Sequence, residues 1–299
     1  MRASWLEVTN EVDDAIVDGL PIVALETSIV GQGLPAPHNL EAAFGCEQAI
    51  RDEGAVPATI GLLDGKVRVG LSRAEIERIA AGSDKVSSRD IGPALARKRA
   101  GATTVAATMR AAAMAGIGFM ATGGIGGVHR GHPEDESADL AELAMTQVAV
   151  FCAGPKIILD IGLTLERLES LSVPVLGFNT DDVPAFYLAR SGHKVSARVN
   201  DAVEAAQTLA ALWATGSHGV VVAVPPPAEL GGAEDFVSRA ISRAGDVEGA
   251  GLTPRLLAEV AELSGGESLD LNVDVVINNA RTAARVARVF QREAKPWIT

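Results

Sequence analysis

The sequence predicts a three-layer α/β/α sandwich around a mostly parallel β-sheet. Short apolar runs recur along the chain, among them PIVAL, GFMA, VAVFC, VPVLGF and GVVVAV. Runs of this length without polar alternation are how strands buried on both faces read. Between them lie segments with helical spacing of apolar positions, and the two kinds alternate almost throughout. Such alternation suits a parallel sheet, where each return to the next strand is made by a helix. The 299 residues allow a large core. No repeat or low-complexity linker divides them, so the expected organisation is one domain over residues 1–299.

In chain order, the opening stretch sets Val8, Val12, Ile16 and Leu20 four apart and reads as an amphipathic helix. PIVALETS follows as a strand whose polar C-terminal end opens into a site. NLEAAFGCEQAIRDEG is a helix closed by Gly54. ATIGLLDGKVRVGL alternates around Asp64-Gly65, a hairpin signal. In SRAEIERIAAG, Ser72 precedes Glu75 by three residues, a capping box. Residues 94–116 read as helix, strand (GATTV) and helix. GFMATGGIGGVHRG turns from strand to glycine-dense loop, ESADLAELAMTQ is a helix, VAVFCAG a strand and LTLERLESL a helix. VPVLGFN and GVVVAVP are strands, and VPPPAELGGAED is a surface loop. DAVEAAQTLAALWATG, LTPRLLAEVAELSGG and NNARTAARVARVFQREA are helices that fill the last third.

Composition removes several function classes. The net charge of −12 repels nucleic acid and anionic membranes. The two cysteines, Cys46 and Cys152, form neither a CxxC nor a zinc spacing, and both read as reduced thiols of a cytoplasmic protein. No secretory h-region and no membrane-length apolar run is visible.

Four stretches can carry chemistry, and each also has a plainer reading. Gly123, Gly124, Gly126, Gly127 and Gly131 let backbone amides approach an anion, with His129 and Arg130 as added donors. The same glycines also suit a tight turn between layers. In EDESADL, Asp135 and Asp139 would share one face of a helix and offer oxygen ligands to a hard divalent cation. First-turn acids also favour a helix dipole with no metal. Glu26 ends an apolar strand, where burial would make it a proton donor near neutrality, or a structural acid of the next turn. Lys156 is the only Lys or Arg between Arg130 and Arg167 and sits inside VFCAGPKIILDIGL. A desolvated amine there would form imines, while a snorkelling lysine at a strand end is the alternative.

The strings ALETSIVGQGLPAPHNLEAA, VPATIGLLDGKVRVGL, KVSSRD, GATTVAATM, ATGGIGGVHRG, SADL, CAGPKIILD, LTPRLLAEVAELSGG and NNA occur in this order over roughly residues 5–295. Together they resemble the pseudouridine-5′-phosphate glycosidases, the indigoidine synthase A-like family. The resemblance implies reversible cleavage of the C–C glycosidic bond of pseudouridine 5′-phosphate to uracil and ribose 5-phosphate. It implies a ring-opened sugar held as an imine on Lys156, with Glu26 as proton donor. It also implies one divalent cation per subunit, typically Mn2+, at Asp135, and a homotrimer. By the same resemblance, substrate contacts fall on Lys85, Val105, Ser137, Ala138 and Asp139, with Asp139 a candidate second proton shuttle and a uracil contact at Asn278 or Asn279. Phosphate recognition is assigned to Lys85, His129 and Arg130 as an expectation of the residues themselves. Two rivals remain: a Schiff-base phosphosugar aldolase, and a phosphosugar or nucleotide sensor without turnover. Product identity separates the first, and borohydride trapping the second.

Overall fold

Buried apolar runs pair side by side because their backbone groups have no other partners away from water. In the computed structural model, which describes residues 3–244 and 252–293, the strands are β1 (Leu6–Val8), β2 (Ile22–Leu25), β3 (Val56–Leu63), β4 (Lys66–Val69), β5 (Asp84–Val86), β6 (Gly101–Thr103), β7 (Phe119–Ala121), β8 (Val128–His129), β9 (His132–Glu136), β10 (Ala149–Cys152), β11 (Leu159–Asp160), β12 (Val175–Phe178), β13 (Ala197–Val199) and β14 (Val220–Ala223). The helices are α1 (Asn10–Val17), α2 (His38–Asp52), α3 (Arg73–Ala81), α4 (Ile91–Ala96), α5 (Val105–Ala115), α6 (Ala138–Leu143), α7 (Ile161–Ser170), α8 (Ala202–Ala214), α9 (Ala233–Ala244), α10 (Leu252–Leu263) and α11 (Glu267–Glu293).

Eleven strands form one sheet with the path β1-β4-β3-β2-β7-β10-β14-β12-β13, β6 joining β3 and β5 joining β6. The pairs from β3 through β2, β7, β10, β14 and β12 to β13 are all parallel, whereas β3 runs antiparallel to β4 and to β6. One face packs against α1, α5 and α7, around Val12, Met109 and Leu168. The other packs against α2, α8 and α11, around Ile50, Leu209 and Ala283. Phe119, Phe151, Trp213 and Phe290 stitch α8 and α11 to the sheet, with ring centroids 5.1–6.3 Å apart. Each such buried aliphatic or aromatic side chain contributes about 1.5–3 kcal/mol by leaving water.

Four expectations change. Val8 belongs to β1, because Leu6 and Val8 register against Val67 and Val69 in period two; α1 begins only at Asn10. The hairpin of β3 and β4 forms as expected, with Asp64 and Gly65 at φ 55° and 77°, the left-handed pair that its tight turn requires. The supposed loop at residues 224–235 runs into α9, whose Ala233, Val237 and Ala240 supply a buried stripe. The last helix starts eleven residues before Asn278, at Glu267. Finally, Asp135 lies in strand β9 and Asp139 in the first turn of α6, so they share no helical face. Pro133 fits this break, since the residue before a proline is driven to extended backbone.

Candidate active site

The chain leaves β2 toward β3 on one side, and leaves β7 toward β10 on the other. Where neighbouring parallel strands diverge like this, their C-terminal ends leave a crevice. A cavity of about 620 Å3 opens there and is lined by both Glu26 and Lys156. The sequence-expected Lys85, Val105, His129, Asp135, Ser137, Ala138 and Asp139 line it as well. Arg130, Asn278 and Asn279 do not.

Glu26 follows β2 directly and is 9% exposed. Its carboxylate accepts hydrogen bonds from Ser28 Oγ and Thr122 Oγ1. Behind it lies a void of about 20 Å3 walled by Leu25, Ile29, Ala42, Ala43, Cys46 and Val276. Burial in that apolar setting pushes its pKa above the usual carboxylate range, and the nearby Asp139 charge pushes the same way. The Lys156 cation and the two hydroxyls oppose the shift. The structure therefore favours a protonated Glu26, the state a proton donor needs.

Lys156 is reached from β10. The strand ends at Cys152, Gly154 turns at φ 75°, and the Lys156 amide donates to Ile125 O at 3.1 Å. Phe151, Cys152, Ala153, Ile157, Ile158 and Leu159 are each no more than 2% exposed. The apolar flanks are thus core anchors, and the lysine between them turns half-buried into the cavity. Arg130 fixes the turn that follows, its Nε donating to Leu159 O at 3.0 Å and its Nη2 to Ile157 O at 2.7 Å. Arg130 therefore braces the lysine's backbone instead of facing a phosphate. Cys152 is inert beside it, since burial pushes its thiol up to about 12.

Asp139 is 5% exposed, and both its oxygens are engaged. Oδ1 accepts from Ala106 N at 2.9 Å and Oδ2 from Gly126 N at 2.8 Å. It pins the glycine loop and the start of α5 to α6, an anchoring geometry more than that of a free shuttle. A side chain at Gly126 would overlap Ser137, so that glycine serves close packing. Thr104 Oγ1 takes the Ala107 amide, so Val105, as first helical residue, presents an N–H without an intrahelical acceptor. The cavity wall also carries Lys85. Desolvation of its amine, then repulsion by Lys156, lowers its pKa against the pull of Asp139 and Glu26. His129 is 8% exposed and burial holds its imidazole low, Asp135 pulling the other way. It enters the site neutral near pH 7, as a hydrogen-bonding group and not a cation. Asp135 is half-buried on β9. Among the described residues no three His, Cys, Asp or Glu side chains converge into a metal cage.

The two asparagines expected at the base lie elsewhere. Asn279 is fully buried and donates to Thr122 O at 2.8 Å, locking α11 to the end of β7. Asn278 points to Pro225 O at 3.4 Å. Asn272, two helical turns earlier on the face of Asn279, lines the cavity instead, 5% exposed, its Oδ1 without a hydrogen-bond partner among the described residues. Phe186 lies near it, at φ 59°, a costly backbone for an aromatic residue. Its amide bonds Ala153 O at 2.8 Å. Its ring lies so close to Gly123 and Gly124 that a Cβ at Gly124 would meet Cδ2 at 2.7 Å. No motif marked either residue, because their roles come from helix phase and a loop conformation that the local sequence does not announce.

The sequence profile described as indigoidine synthase A-like protein matches residues 11–289. A pseudouridine-5′-phosphate glycosidase of Nocardioides sp. is 49% identical, spanning 95% of this chain and 96% of that protein. One from Escherichia coli K12 is 47% identical, spanning 97% and 96%. Among solved structures, the prealnumycin C-glycosynthase AlnA in complex with ribulose 5-phosphate superposes with a TM-score of 0.89 at 36% identity, covering 97% of this chain and 98% of that one. An indigoidine synthase A-like protein from Thermotoga maritima gives 0.89 at 32%, covering 96% and 97%.

Proposed function

The chain belongs to the indigoidine synthase A-like family, and on that basis we propose that it is a pseudouridine-5′-phosphate glycosidase acting through an imine on Lys156. The observation that carries the reading is the pairing of one buried carboxyl, Glu26, with one amine, Lys156, on a single cavity beyond the C-terminal ends of β2 and β10. The relatives' names supply the substrate, pseudouridine 5′-phosphate.

A carbon leaving group is too poor for the two-carboxylate route of ordinary glycosidases. Opening the ribose removes that obstacle. Glu26 gives its proton to the ring oxygen as the free amine of Lys156 attacks C1′, and the C1′–O4′ bond breaks. The nitrogen's extra proton returns to Glu26. Protonation of uracil C5 then breaks the C1′–C5 bond while the nitrogen lone pair forms C1′=N. Water hydrolyses this imine, releasing ribose 5-phosphate and restoring the amine. Every proton can travel by Glu26, so Asp139 is needed only to hold the loop and helix in place.

For the base, Asn272 offers its Oδ1 and Phe186 an apolar platform. For the phosphate, Lys85 and the Val105 amide on the cavity wall are donors, with neutral His129 as a hydrogen-bonding neighbour. A divalent cation would be held at Asp135: one half-buried carboxylate on the open cavity suits a hard ion that keeps most of its own water. Bound there, it would supply charge for ordering substrate oxygens. A homotrimer is part of the same proposal, and light scattering giving another stoichiometry would remove it.

The test is borohydride reduction in the presence of ribose 5-phosphate, followed by peptide mapping. A sugar adduct on Lys156, absent from Lys156→Ala together with turnover, is expected. Undiminished uracil release by Lys156→Ala would sink the mechanism.

A further inference from the structure

Glu142 lies on α6, three residues after Asp139, and is 2% exposed. An ionised carboxylate so deeply placed needs strong partners. It has three hydrogen bonds. Arg110 grips it through Nε at 3.0 Å and Nη2 at 2.7 Å, and Ser88 Oγ donates at 2.7 Å. Arg110 is in turn four residues beyond Ala106, whose amide meets Asp139. The carboxylates of α6 thus strap it along the first turns of α5.

This arrangement leaves a consequence on the cavity side. Arg110 is 39% exposed at its side chain, and it lines the cavity with Ser88, Val105 and Lys85. Helical side chains lean toward the N-terminus, which carries the guanidinium toward the Val105 end. Glu142 takes one edge of the fork, Nε and Nη2, and fixes its plane. Nη1 has no hydrogen-bond partner among the described residues. A planar cation with one edge held by a buried carboxylate, on a residue that lines an open pocket, is organised to meet an oxyanion. We propose that Arg110 is a phosphate-binding residue of this chain, contacting the 5′-phosphate through Nη1 while Glu142 and Ser88 hold it in register. The proposal rests on the reaction assigned above and gives this residue the part that Arg130, turned to backbone carbonyls, does not play.

The experiment compares pseudouridine 5′-phosphate with unphosphorylated pseudouridine as substrates of Arg110→Gln, Glu142→Gln and the double variant. Arg110→Gln is expected to raise KM for the phosphorylated substrate on the order of 10- to 100-fold, the worth of one hydrogen bond to a charged group, and far less for the nucleoside. The double variant decides the role. It removes the buried charge that Arg110 would otherwise merely neutralise, so a purely structural arginine predicts recovery of the normal KM. A phosphate-binding arginine predicts that KM stays raised. Recovery in the double variant, or equal losses on both substrates, would overturn the proposal. Wild-type turnover is followed in parallel. If the wild type fails to release uracil, the reaction itself falls. Calorimetric binding of ribose 5-phosphate to the same three variants then still decides whether Arg110 meets the phosphate.

Discussion

Replacing Glu26 by Gln tests the proton donor with little change of shape. The amide keeps an oxygen for Ser28 or Thr122, and the apolar void behind it is unaltered. What disappears is the transferable proton. A positioned acid is worth about 100- to 10,000-fold, so kcat for uracil release should fall by that factor, while KM moves only a few-fold. The pH profile provides the second reading. In the wild type the protonated form of Glu26 acts, so the alkaline limb of the activity profile should fall as pH rises through the raised pKa, and Glu26→Gln should lose that limb. Stability follows the same sign. A carboxyl whose folded pKa is raised stabilises the fold fully below its unfolded pKa, and that contribution is lost as pH rises through the folded value. Glu26→Gln should therefore gain stability relative to wild type on the alkaline side in urea unfolding at stepped pH. Retention of kcat within about tenfold would fall below any value expected of a general acid and would refute the assignment.

The other predictions concern the groups around this pair. Asn272→Ala should raise KM for uracil in the synthetic direction about 5- to 100-fold, while borohydride trapping of ribose 5-phosphate on Lys156 is retained; unchanged uracil saturation would clear Asn272 of base recognition. Arg130→Ala should cost about 1–3 kcal/mol of stability through its two carbonyl bonds and reduce kcat equally for phosphorylated and unphosphorylated substrates, measured by chemical denaturation and steady-state rates. Gly124→Ala forces a methyl group toward the Phe186 ring and should destabilise by about 1–3 kcal/mol, read as a lower urea midpoint. Chelation should lower activity and added Mn2+ restore it, with Asp135→Asn raising the metal concentration for half-recovery; equal recovery curves would move the cation elsewhere.

Much of this site was legible because its groups sit beside local signals. Glu26 and Lys156 each follow an apolar run, and a strand end is where a parallel sheet places chemistry. The hairpin at Asp64-Gly65 and the capping box at Ser72 were readable for the same reason: each is decided within a few residues. What escaped depends on distant contacts. Arg130 looked like a loop cation free to bind anions, yet its partners Ile157 and Leu159 come from the far side of Lys156. Asn278 and Asn279 stood out as a pair, but the phase of a helix beginning at Glu267 directs Asn279 inward and gives the cavity to Asn272. Arg110 was hidden in an alanine-rich helix, its partner Glu142 being 32 residues away.

The proposed acid and amine spring from β2 and β10, with only β7 between them. Adjacent strands lie about 4.8 Å apart, so the ends of β2 and β10 are set roughly 9.6 Å from each other by backbone pairing alone, with Glu26 directly after the first and Lys156 four residues past the second. The sheet acts as a ruler with fixed graduations. Loop redesign past Gly154 can shift the lysine, but it cannot stretch the gap between the two strand ends. Moving the chemistry to a bulkier electrophile would call for a longer or shorter side chain at one of the two posts.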